Sequence, residues 1–428
     1  MPDSETHRAI DAVWRMESAK VIAGLARIVR DVGAAEELAQ DALVAALEQW
    51  PKTGVPEKPG AWLMAAGKNR AIDYFRRNTL LERKHEELGR DINEQQRTAV
   101  AGFDAAIDDD IGDDLLRLIF TACHPVLAPE ARVALTLRLL GGLTTDEVAR
   151  AFLIPEATVA QRIVRAKRAL SEAHVPFEIP RGIDRAARLS SVLEVIYLIF
   201  NEGYSATAGE DWLRPALCDE ALRLGRILAE LAPNEAEVHG LVALMEIQAS
   251  RSRARVGPSG DPILLMDQDR ARWDQLLIRR GLAALQRAER LGGTHGPYAL
   301  QAAIAACHAR ARTPEETDWA RIVALYAQLA QTSPSPIVEL NRAVAVSMAE
   351  GPAAALEIVD RLATEPSMKN YHLLPTVRGD LLSKLRRFDE ARTEFENAAA
   401  LTRNTRERQL LLARANSCVA KSAPDAQP

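Results

Sequence analysis

Apolar and polar positions along residues 142–170 repeat at the spacing of two short helices joined by a turn. Thr144 and Glu147 have the T-x-x-E spacing of a capping box, so a first helix is expected to begin there and to run to about Phe152. The next two residues form the turn. Pro155 suits the first position of a second helix because it has no N–H to satisfy. The pattern predicts a helix-turn-helix.

The second helix of this motif has two different faces. One is an apolar stripe that should face the core: Val159, Ile163, Ala166 and Leu170. The other is polar and basic: Gln161, Arg165 and Arg168, with Arg162 and Lys167 beside them. Such a helix is long enough to enter a major groove, with its cations near phosphates. The alternative interpretation is an ordinary helical hairpin with solvated basic residues.

The N-terminal quarter also has the helical period. Residues 8–50 should form two helices, with Gly33 as the break between them. The second of these helices has acids in its first turn, where they favour the helix dipole. Residues 51–60 contain three prolines and two glycines, so they are expected to form a stiffened loop.

Residues 61–77 then form a predicted helix with two neighbouring stripes. One stripe has spacings of four, three, four and three: Trp62, Ala66, Asn69, Asp73 and Arg76. The expected buried stripe is Ala61, Ala65, Ile72 and Phe75. An aromatic, an amide and a basic end on one face suit single-stranded DNA, because bases stack on aromatics and phosphates need cations. Alternatively, Trp62 belongs to the core, and Arg76 and Arg77 only favour the helix C-terminus.

Paired helices are also predicted beyond residue 177. Small and apolar residues at tetratricopeptide spacing occur in two stretches: Ala343, Val346, Ala355, Val359 and Leu362, then Gly379, Leu382, Ala391, Phe395 and Ala398. Two fragments fit only the second helix of a repeat: Ala221, Gly225, Leu228 and Pro233, and Ala320, Ala324 and Ala327. Stacked pairs would form an α-solenoid. Residues 251–274 interrupt the pattern, and an insertion of this kind commonly serves binding.

The composition agrees with an all-α protein of several domains. Aromatic residues are only 5% of 428, and Ala and Leu dominate, which favours helices. The formal net charge is −5, so any DNA contact must come from local basic faces. The four cysteines are scattered without metal spacing, and nothing resembles a nucleophile with its base or a phosphate loop. We therefore expect no enzymatic activity, no metal and no cofactor, and a cytoplasmic protein without membrane contact.

Residues 81–112 separate the two predicted DNA-binding units. They mix charges with few large apolar groups, and they contain or adjoin an acidic cluster: Asp104, Asp108, Asp109, Asp110, Asp113 and Asp114. An extended, flexible linker is expected. One interpretation of its acids is that they favour the N-terminus of the next helix.

The two units, in this order, resemble the extracytoplasmic-function sigma factors of bacterial RNA polymerase. Residues 31–47, DVGAAEELAQDALVAAL, are similar to the segment that docks sigma domain two on the β′ clamp helices. Residues 51–77 are similar to the loop and helix that capture a flipped base and melt the −10 element. The helix-turn-helix resembles sigma domain four, which meets the β flap and reads the −35 element. The corresponding linker of this family threads toward the polymerase active centre, so the resemblance implies a second open interpretation of the linker acids: they imitate nucleic acid in a basic channel.

The resemblance implies roles for individual residues. Polymerase contacts would be made by Glu37, Gln40 and Asp41, and −10 contacts by Trp62, Asn69, Asp73, Arg76 and Arg77. The −35 contacts would come from Ala160, Gln161, Arg162, Arg165 and Arg168. Ala160 departs from the family, in which this place is often basic. Its methyl group can meet thymine but cannot make the bidentate contact of Arg with guanine.

The expected organisation is sigma domain two at 1–80, the linker at 81–112, sigma domain four at 113–176 and a tetratricopeptide-like extension at 177–428, with a disordered tail from about 420. The chain resembles a sigma subgroup that carries such an extension, and this resemblance implies that the extension regulates the sigma factor in cis. It also implies promoter DNA and core polymerase as partners. The partner of the solenoid, a protein or peptide, is not identified by the sequence.

Two other function classes stay open. The first is a one-component helix-turn-helix regulator whose solenoid senses a ligand, although such a regulator does not need residues 36–77. The second is a scaffold whose solenoid binds peptides and whose basic helix is incidental.

Overall fold

The computed structural model describes residues 2–86, 111–206, 208–258 and 260–422. The chain divides into two compact units, an N-terminal unit, Met1–Ile196, and a C-terminal unit, Tyr197–Pro428. The described residues are helical apart from two strands of 2 residues each, short 3-10 turns and loops. The predicted all-α class is confirmed. None of the described helices is long and apolar enough to cross a membrane.

The N-terminal unit contains two groups of helices. The first group is α1 (Pro2–Val29), α2 (Val32–Thr53) and α3 (Pro59–Glu86). The second group is α4 (Ile111–Ala122), α5 (Pro129–Leu139), α6 (Thr145–Phe152) and α7 (Glu156–Glu172). The next helix, α8 (Gly182–Tyr204), contains the boundary between the two units.

The first group packs around large buried side chains from all three helices. Leu25 of α1, Trp50 of α2 and Leu63 of α3 are each at most 1% exposed. A Cβ on Gly67 would lie 2.8 Å from Leu25 Cδ1, closer than real Cβ contacts come. Glycine at this place therefore lets α3 approach α1.

The break between α1 and α2 lies earlier than predicted. Arg30 ends α1 in the left-handed region at φ 55°, and Asp31 caps α2 by accepting a hydrogen bond from Ala34 N at 2.7 Å. Gly33, the predicted break, lies in the first turn of α2. The Asp cap fixes where the helix begins, and this effect exceeds the weak helix propensity of one glycine.

The loop of residues 51–60 is shorter than predicted. Pro51 lies in the last turn of α2, next to Trp50, which is buried. Gly54, at φ 83°, ends the helix and donates its N–H to the Trp50 carbonyl oxygen. Pro59 begins α3, where its missing N–H costs nothing. Only residues 54–58 therefore lie outside the two helices.

The buried stripe of α3 also differs from the prediction. Leu63, Gly67 and Ala71 are buried, whereas Ala61 and Ala65 are exposed. The other two predicted members, Ile72 and Phe75, are half-buried. Alanines occur on every face of this helix, so their spacing carries little information. Leu63 and the close approach at Gly67 decide which face meets α1.

The second group has its own core, which α8 extends. Leu118, Leu135 and Leu139 are fully buried at its centre. Arg132, 7% exposed, donates to Ser191 Oγ at 2.5 Å and to Glu194 Oε2 at 2.9 Å, both on α8. A buried guanidinium needs such partners, because an unpaired buried charge is very costly. The first half of α8 is therefore part of the N-terminal unit.

The C-terminal unit is built from helices in chain order: α9 (Pro215–Leu231), α10 (Ala236–Ala249), α11 (Gln275–Arg290), α12 (Pro297–Arg310), α13 (Trp319–Thr332), α14 (Pro336–Ala349), α15 (Pro352–Leu362), α16 (Leu373–Lys384), α17 (Phe388–Leu401) and α18 (Thr405–Ser422). Two strands, β1 (Ala208–Gly209) and β2 (Arg403–Asn404), complete it.

The two clearest predicted repeats form packed helical pairs, α14 with α15 and α16 with α17. All ten residues at their predicted core positions are buried. A Cβ on Gly379 would lie 2.9 Å from Phe395 Cε1, so glycine is required where these two helices meet. The fragment on α13 was assigned the wrong face, because Ala320, Ala324 and Ala327 are not buried. Its core side is marked by Ile322 and Leu329.

The insertion between α10 and α11 is fastened by arginine and aromatic side chains. The Arg255 guanidinium lies 3.6 Å from the centre of the Tyr204 ring, a cation–π contact. Trp273 is 4% exposed, and Arg270 packs over its ring and donates to the carbonyl oxygens of His308 and Ala311 at 2.8 Å. The role in binding that the sequence predicts for this insertion stays a prediction.

The C-terminal unit joins its own two ends. Strand β1 pairs with β2 in parallel, Ala208 opposite Arg403. The Asn404 side chain is 1% exposed, and its amide donates to the carbonyl oxygens of Ala206, at 3.2 Å, and Asp211, at 2.9 Å. Its Oδ1 accepts from the N–H groups of Arg406 and Glu407, both at 3.1 Å. One side chain thus joins the ends and caps α18.

Two predicted segments lie partly outside the described residues. Of the expected linker at 81–112, residues 87–110 are outside them, and so are four acids of its cluster: Asp104, Asp108, Asp109 and Asp110. The remaining two acids, Asp113 and Asp114, lie in the first turn of α4. Helix α18 continues to Ser422, and the rest of the expected tail is outside the described residues.

Replacing Asn404 with Ala should destabilise the C-terminal unit by about 1–3 kcal/mol, because buried carbonyl oxygens lose their donors. Urea unfolding followed by circular dichroism measures this change. Asn341→Ala, at an exposed position of α14, is the matched control and should change stability little. Equal stabilities for the two variants would contradict the role given to Asn404.

Candidate nucleic-acid and polymerase interfaces

The helix-turn-helix forms through the predicted capping box. Thr144 Oγ1 accepts from Glu147 N at 3.1 Å, and Glu147 Oε2 accepts from Thr144 N at 2.9 Å. Leu153 turns the chain in the left-handed region at φ 51°, and Ile154 N donates to the Ala149 carbonyl oxygen. Pro155 is the cap of α7 rather than its first helical residue, so the helix begins at Glu156, one residue later than predicted.

Helix α7 has the two faces that its sequence predicts. The buried residues are Val159, Ile163, Ala166 and Leu170. Gln161, Arg165 and Arg168 are exposed, and Ala160 and Arg162 are half-buried. Arg168 donates from Nε to Glu172 Oε1 at 2.6 Å, so its charge is shared with an acid on the same helix.

Two residues of α7 differ from the simple picture of a basic face. Lys167 is turned toward the first helix group, where it forms an ion pair with Glu36. Val164, which pattern reasoning did not select, is 63% exposed beside Arg165. An apolar side chain on a groove-facing surface can meet the methyl group of thymine. The sequence signal that could have identified Val164 is its apolar side chain at a position off the buried stripe of α7.

The expected polymerase contacts lie on one side of α2. Glu37 and Asp41 are exposed, and Val44, one turn further, is 51% exposed. Gln40 is half-buried, and its Nε2 donates to Glu36 Oε1 at 2.7 Å. The exposed stripe is therefore Glu37, Asp41 and Val44, while Gln40 connects it to a buried carboxylate.

The expected −10 contacts lie on α3. Trp62 is half-buried, with its ring 5.3 Å from that of the buried Trp50 in an edge-to-face arrangement. Asn69, Asp73 and Arg76 are at least partly exposed, and Arg76 Nη1 lies 3.8 Å from Asp73 Oδ1. The side chain of Arg77 is outside the described residues. Trp62 thus combines both interpretations: one part packs on the core and another part stays open to solvent.

Charged contacts join the two helix groups of the N-terminal unit. Glu36, 3% exposed, lies 2.6 Å from Arg138 Nε and also pairs with Lys167. Asp114 is likewise shared, by Arg27 at 3.0 Å and Arg117 at 2.5 Å. We call Glu36, Arg138 and Lys167 the Glu36 triad, and Asp114, Arg27 and Arg117 the Asp114 triad. Sequence spacing relates Asp114 and Arg117, three residues apart on α4, but it gave no signal for the contacts that join the two helix groups.

Cys123 and His124 have structural surroundings. Burial raises the pKa of the Cys123 thiol to about 11, against a smaller opposing effect of its contact with Thr136 Oγ1 at 3.4 Å. Burial also lowers the pKa of His124 to about 4, with Arg188 acting in the same direction. Both side chains are therefore neutral near pH 7. Among the described residues, no group of three or more His, Cys, Asp or Glu side chains is placed to hold a metal ion.

Family comparisons agree with this arrangement of helices. Residues 14–80 match the model of Sigma-70 region 2, and residues 117–170 match that of Sigma-70, region 4. The chain is also 45% identical over 389 residues to the uncharacterized protein R00370 of Rhizobium meliloti (strain 1021), covering 91% of this chain and 90% of that protein. The chain belongs to the sigma-70 family. It is an extracytoplasmic-function-like sigma factor with a C-terminal helical extension.

The extension of this sigma factor has a family match of its own. Residues 188–289 match a family of unknown function, DUF6596. That stretch begins inside α8 and ends at the last turn of α11, so it includes the fastened insertion. The two sigma regions indicate a role in transcription initiation, with RNA polymerase and promoter DNA as partners. They also indicate a transcription factor rather than an enzyme.

Replacing Arg165 with Ala should weaken binding of the sigma factor to −35 duplex by about 1–3 kcal/mol and lower the salt dependence of log K by about one, because one cation leaves the DNA face. Fluorescence anisotropy across a salt series measures both quantities. Arg150→Ala, which removes an exposed arginine from α6, is the control. An unchanged affinity and salt slope for Arg165→Ala would contradict its placement at DNA.

Proposed function

We propose that this sigma factor docks on core RNA polymerase through α2, reads −35 duplex through α7, and captures and melts the −10 element with residues 54–77. We propose further that the helical extension regulates these steps in cis. The observation that carries the proposal is one chain with two separate exposed faces. They are the acidic stripe of Glu37 and Asp41 with Val44 on α2, and the face of Gln161 and Arg165 on α7.

The α2 stripe suits docking on another protein. Two carboxylates and an apolar side chain at helical spacing combine electrostatic recognition with burial of apolar surface. Glu37 and Asp41 are exposed, away from the buried side of α2 that packs in the first helix group. Gln40 contributes differently, since its hydrogen bond to Glu36 connects the docking stripe to the Glu36 triad.

Helix α3 suits single-stranded DNA. Trp62 is supported by Trp50 behind it, and this support holds an aromatic ring at the start of the helix. Residues 54–58 precede it, and Asn69 and Arg76 follow along the exposed side. A flipped base gains stacking and edge contacts at such a place, which offset the few kcal/mol that unstacking costs.

The alternative function is a one-component regulator with a tetratricopeptide-like sensor domain. It explains the helix-turn-helix and the extension, but it gives no role to the exposed stripe of α2 or to the supported Trp62. We therefore favour the sigma factor.

Charge reversal of the docking stripe, Glu37→Lys with Asp41→Lys, should weaken binding to core polymerase roughly tenfold or more, a loss of about 1.4 kcal/mol or more. Both side chains are exposed, so the variant should fold. Gln49→Lys, at an exposed position on another side of α2, is the control. Retention of core enzyme measures the effect. Equal retention by the double variant and the control would refute docking through this stripe.

Regulation in cis predicts a change of promoter activity when the extension is removed. The shortened chain should end after Tyr204, because Arg132 needs Ser191 and Glu194 of α8. We expect this chain to keep core binding and to differ from the full chain in transcription from the same promoter. Circular dichroism and core retention serve as controls for folding. Equal transcription by both folded chains would refute regulation by the extension.

A further inference from the structure

A cavity of about 800 Å³ opens between the two helix groups of the N-terminal unit. Its lining comes from the end of α1, from the start of α2, from α4, from the end of α7 and from the segment that follows α7. Four basic side chains line it: Arg27, Arg30, Arg117 and Lys167. The size lies within the range of small-molecule sites in proteins.

Three of the four basic side chains that line the cavity, Arg27, Arg117 and Lys167, belong to the two triads. In the Asp114 triad, one carboxylate that is 4% exposed is shared by two guanidinium groups, Arg27 and Arg117. In the Glu36 triad, one buried carboxylate is shared by Arg138 and Lys167. Arg117 also lies 4.0 Å from the exposed Asp113, where water screens the attraction.

Two acids line the cavity as well. Asp31 uses its Oδ1 to cap α2, at 2.7 Å from Ala34 N. Glu178 is exposed. Four basic and two acidic side chains therefore line the cavity, and one of the four basic ones, Arg30, is exposed. His174 lines it too, and Phe177, half-buried, supplies an aromatic wall.

We propose that this cavity binds a small polyanion, a metabolite with two or more phosphate groups. Guanidinium groups match phosphate oxygens in geometry and charge, and ammonium groups match them in charge. Arg27 and Arg30 belong to the first helix group, and Arg117 and Lys167 to the second. A phosphate chain that contacts both pairs stabilises the arrangement in which the groups are packed together, because it binds that arrangement best.

The ligand acts on the sigma factor without covering its DNA face. Lys167 lies on the cavity side of α7, whereas Arg165 is exposed elsewhere on the same helix. A sigma factor must place its two DNA-reading groups on separate promoter elements, so a ligand that holds the groups together opposes promoter binding. This consequence rests on the proposed function; binding in the cavity does not.

Calorimetry on the full chain tests the binding, with inorganic tripolyphosphate and ATP as probes at constant ionic strength. We expect one site per chain. Arg30→Asn should weaken tripolyphosphate binding roughly tenfold, about 1.4 kcal/mol. Asn tolerates the left-handed φ of 55° at this position, so the fold should persist. Arg386→Asn, another arginine at positive φ (62°), is the matched control and should bind as the wild type does.

Two further variants locate the ligand. Lys167→Gln should weaken binding of both probes, whereas Arg165→Gln on the same helix should not. If the adenine base of ATP contacts the ring of Phe177, Phe177→Ala should weaken binding of ATP more than binding of tripolyphosphate. Equal effects on the two affinities would mean that the cavity recognises the phosphates alone. Either outcome supports the cavity. Absent binding in the wild type at millimolar tripolyphosphate, or equal losses for Lys167→Gln and Arg165→Gln, would overturn it.

Hydrogen exchange tests the holding role independently of transcription. At a tripolyphosphate concentration near the wild-type Kd, exchange in α2 and α7 should slow in the wild type and change much less in the Arg30→Asn variant. Binding without added protection in the wild type would overturn the holding role. A protein that binds tripolyphosphate and is protected by it, yet fails to direct transcription in the absence of tripolyphosphate, would instead count against the proposed function.

Discussion

The arrangement of the N-terminal unit depends on one buried carboxylate. Glu36 lies on α2, for which we propose polymerase docking, yet its two cations, Arg138 and Lys167, come from the helix-turn-helix group. Loss of a partner from a buried ion pair costs about 3–5 kcal/mol, because the remaining charge stays out of water. Water can replace these cations only if the two groups separate. The Glu36 triad therefore stabilises the packing of the two helix groups through ion pairs, in addition to apolar contacts.

The Glu36 triad also explains why the different sides of α7 have different surroundings. Its apolar stripe belongs to the core of its own group, Lys167 meets Glu36, and Gln161, Val164 and Arg165 remain exposed. A helix with three such sides can fold, pack and read DNA at once. Gln40 extends the connection to α2, since its amide binds the same carboxylate that holds Lys167. Gln40, for which polymerase docking is proposed, and Lys167 of α7 thus share one carboxylate.

Local signals in the sequence were sufficient for much of the fold. The capping box at Thr144, the apolar stripe of α7 and the repeat positions around Gly379 and Phe395 depend on residues close in the chain, and the structure confirms them. Predictions were wrong where alanines made several faces equivalent, as for Ala61 on α3 and Ala320 on α13. In those helices, the larger residues and their distant neighbours decide which side is buried. Other features depend on partners far apart in the sequence: the two triads and the closure by Asn404 join residues that no periodic pattern relates. The expected polymerase and DNA contacts stay predictions, although most of those described are exposed at least in part.

Directing initiation requires more of this chain than binding DNA, because the promoter must also be opened. Permanganate footprinting of a promoter with core polymerase and the purified full chain measures this opening, since permanganate modifies unpaired thymines. We expect reactive thymines in the −10 region and a transcript that begins at a defined position, both dependent on the chain. Protection of duplex DNA with no reactive thymines and no transcript, from a chain that binds the same DNA without polymerase, would contradict the proposed role.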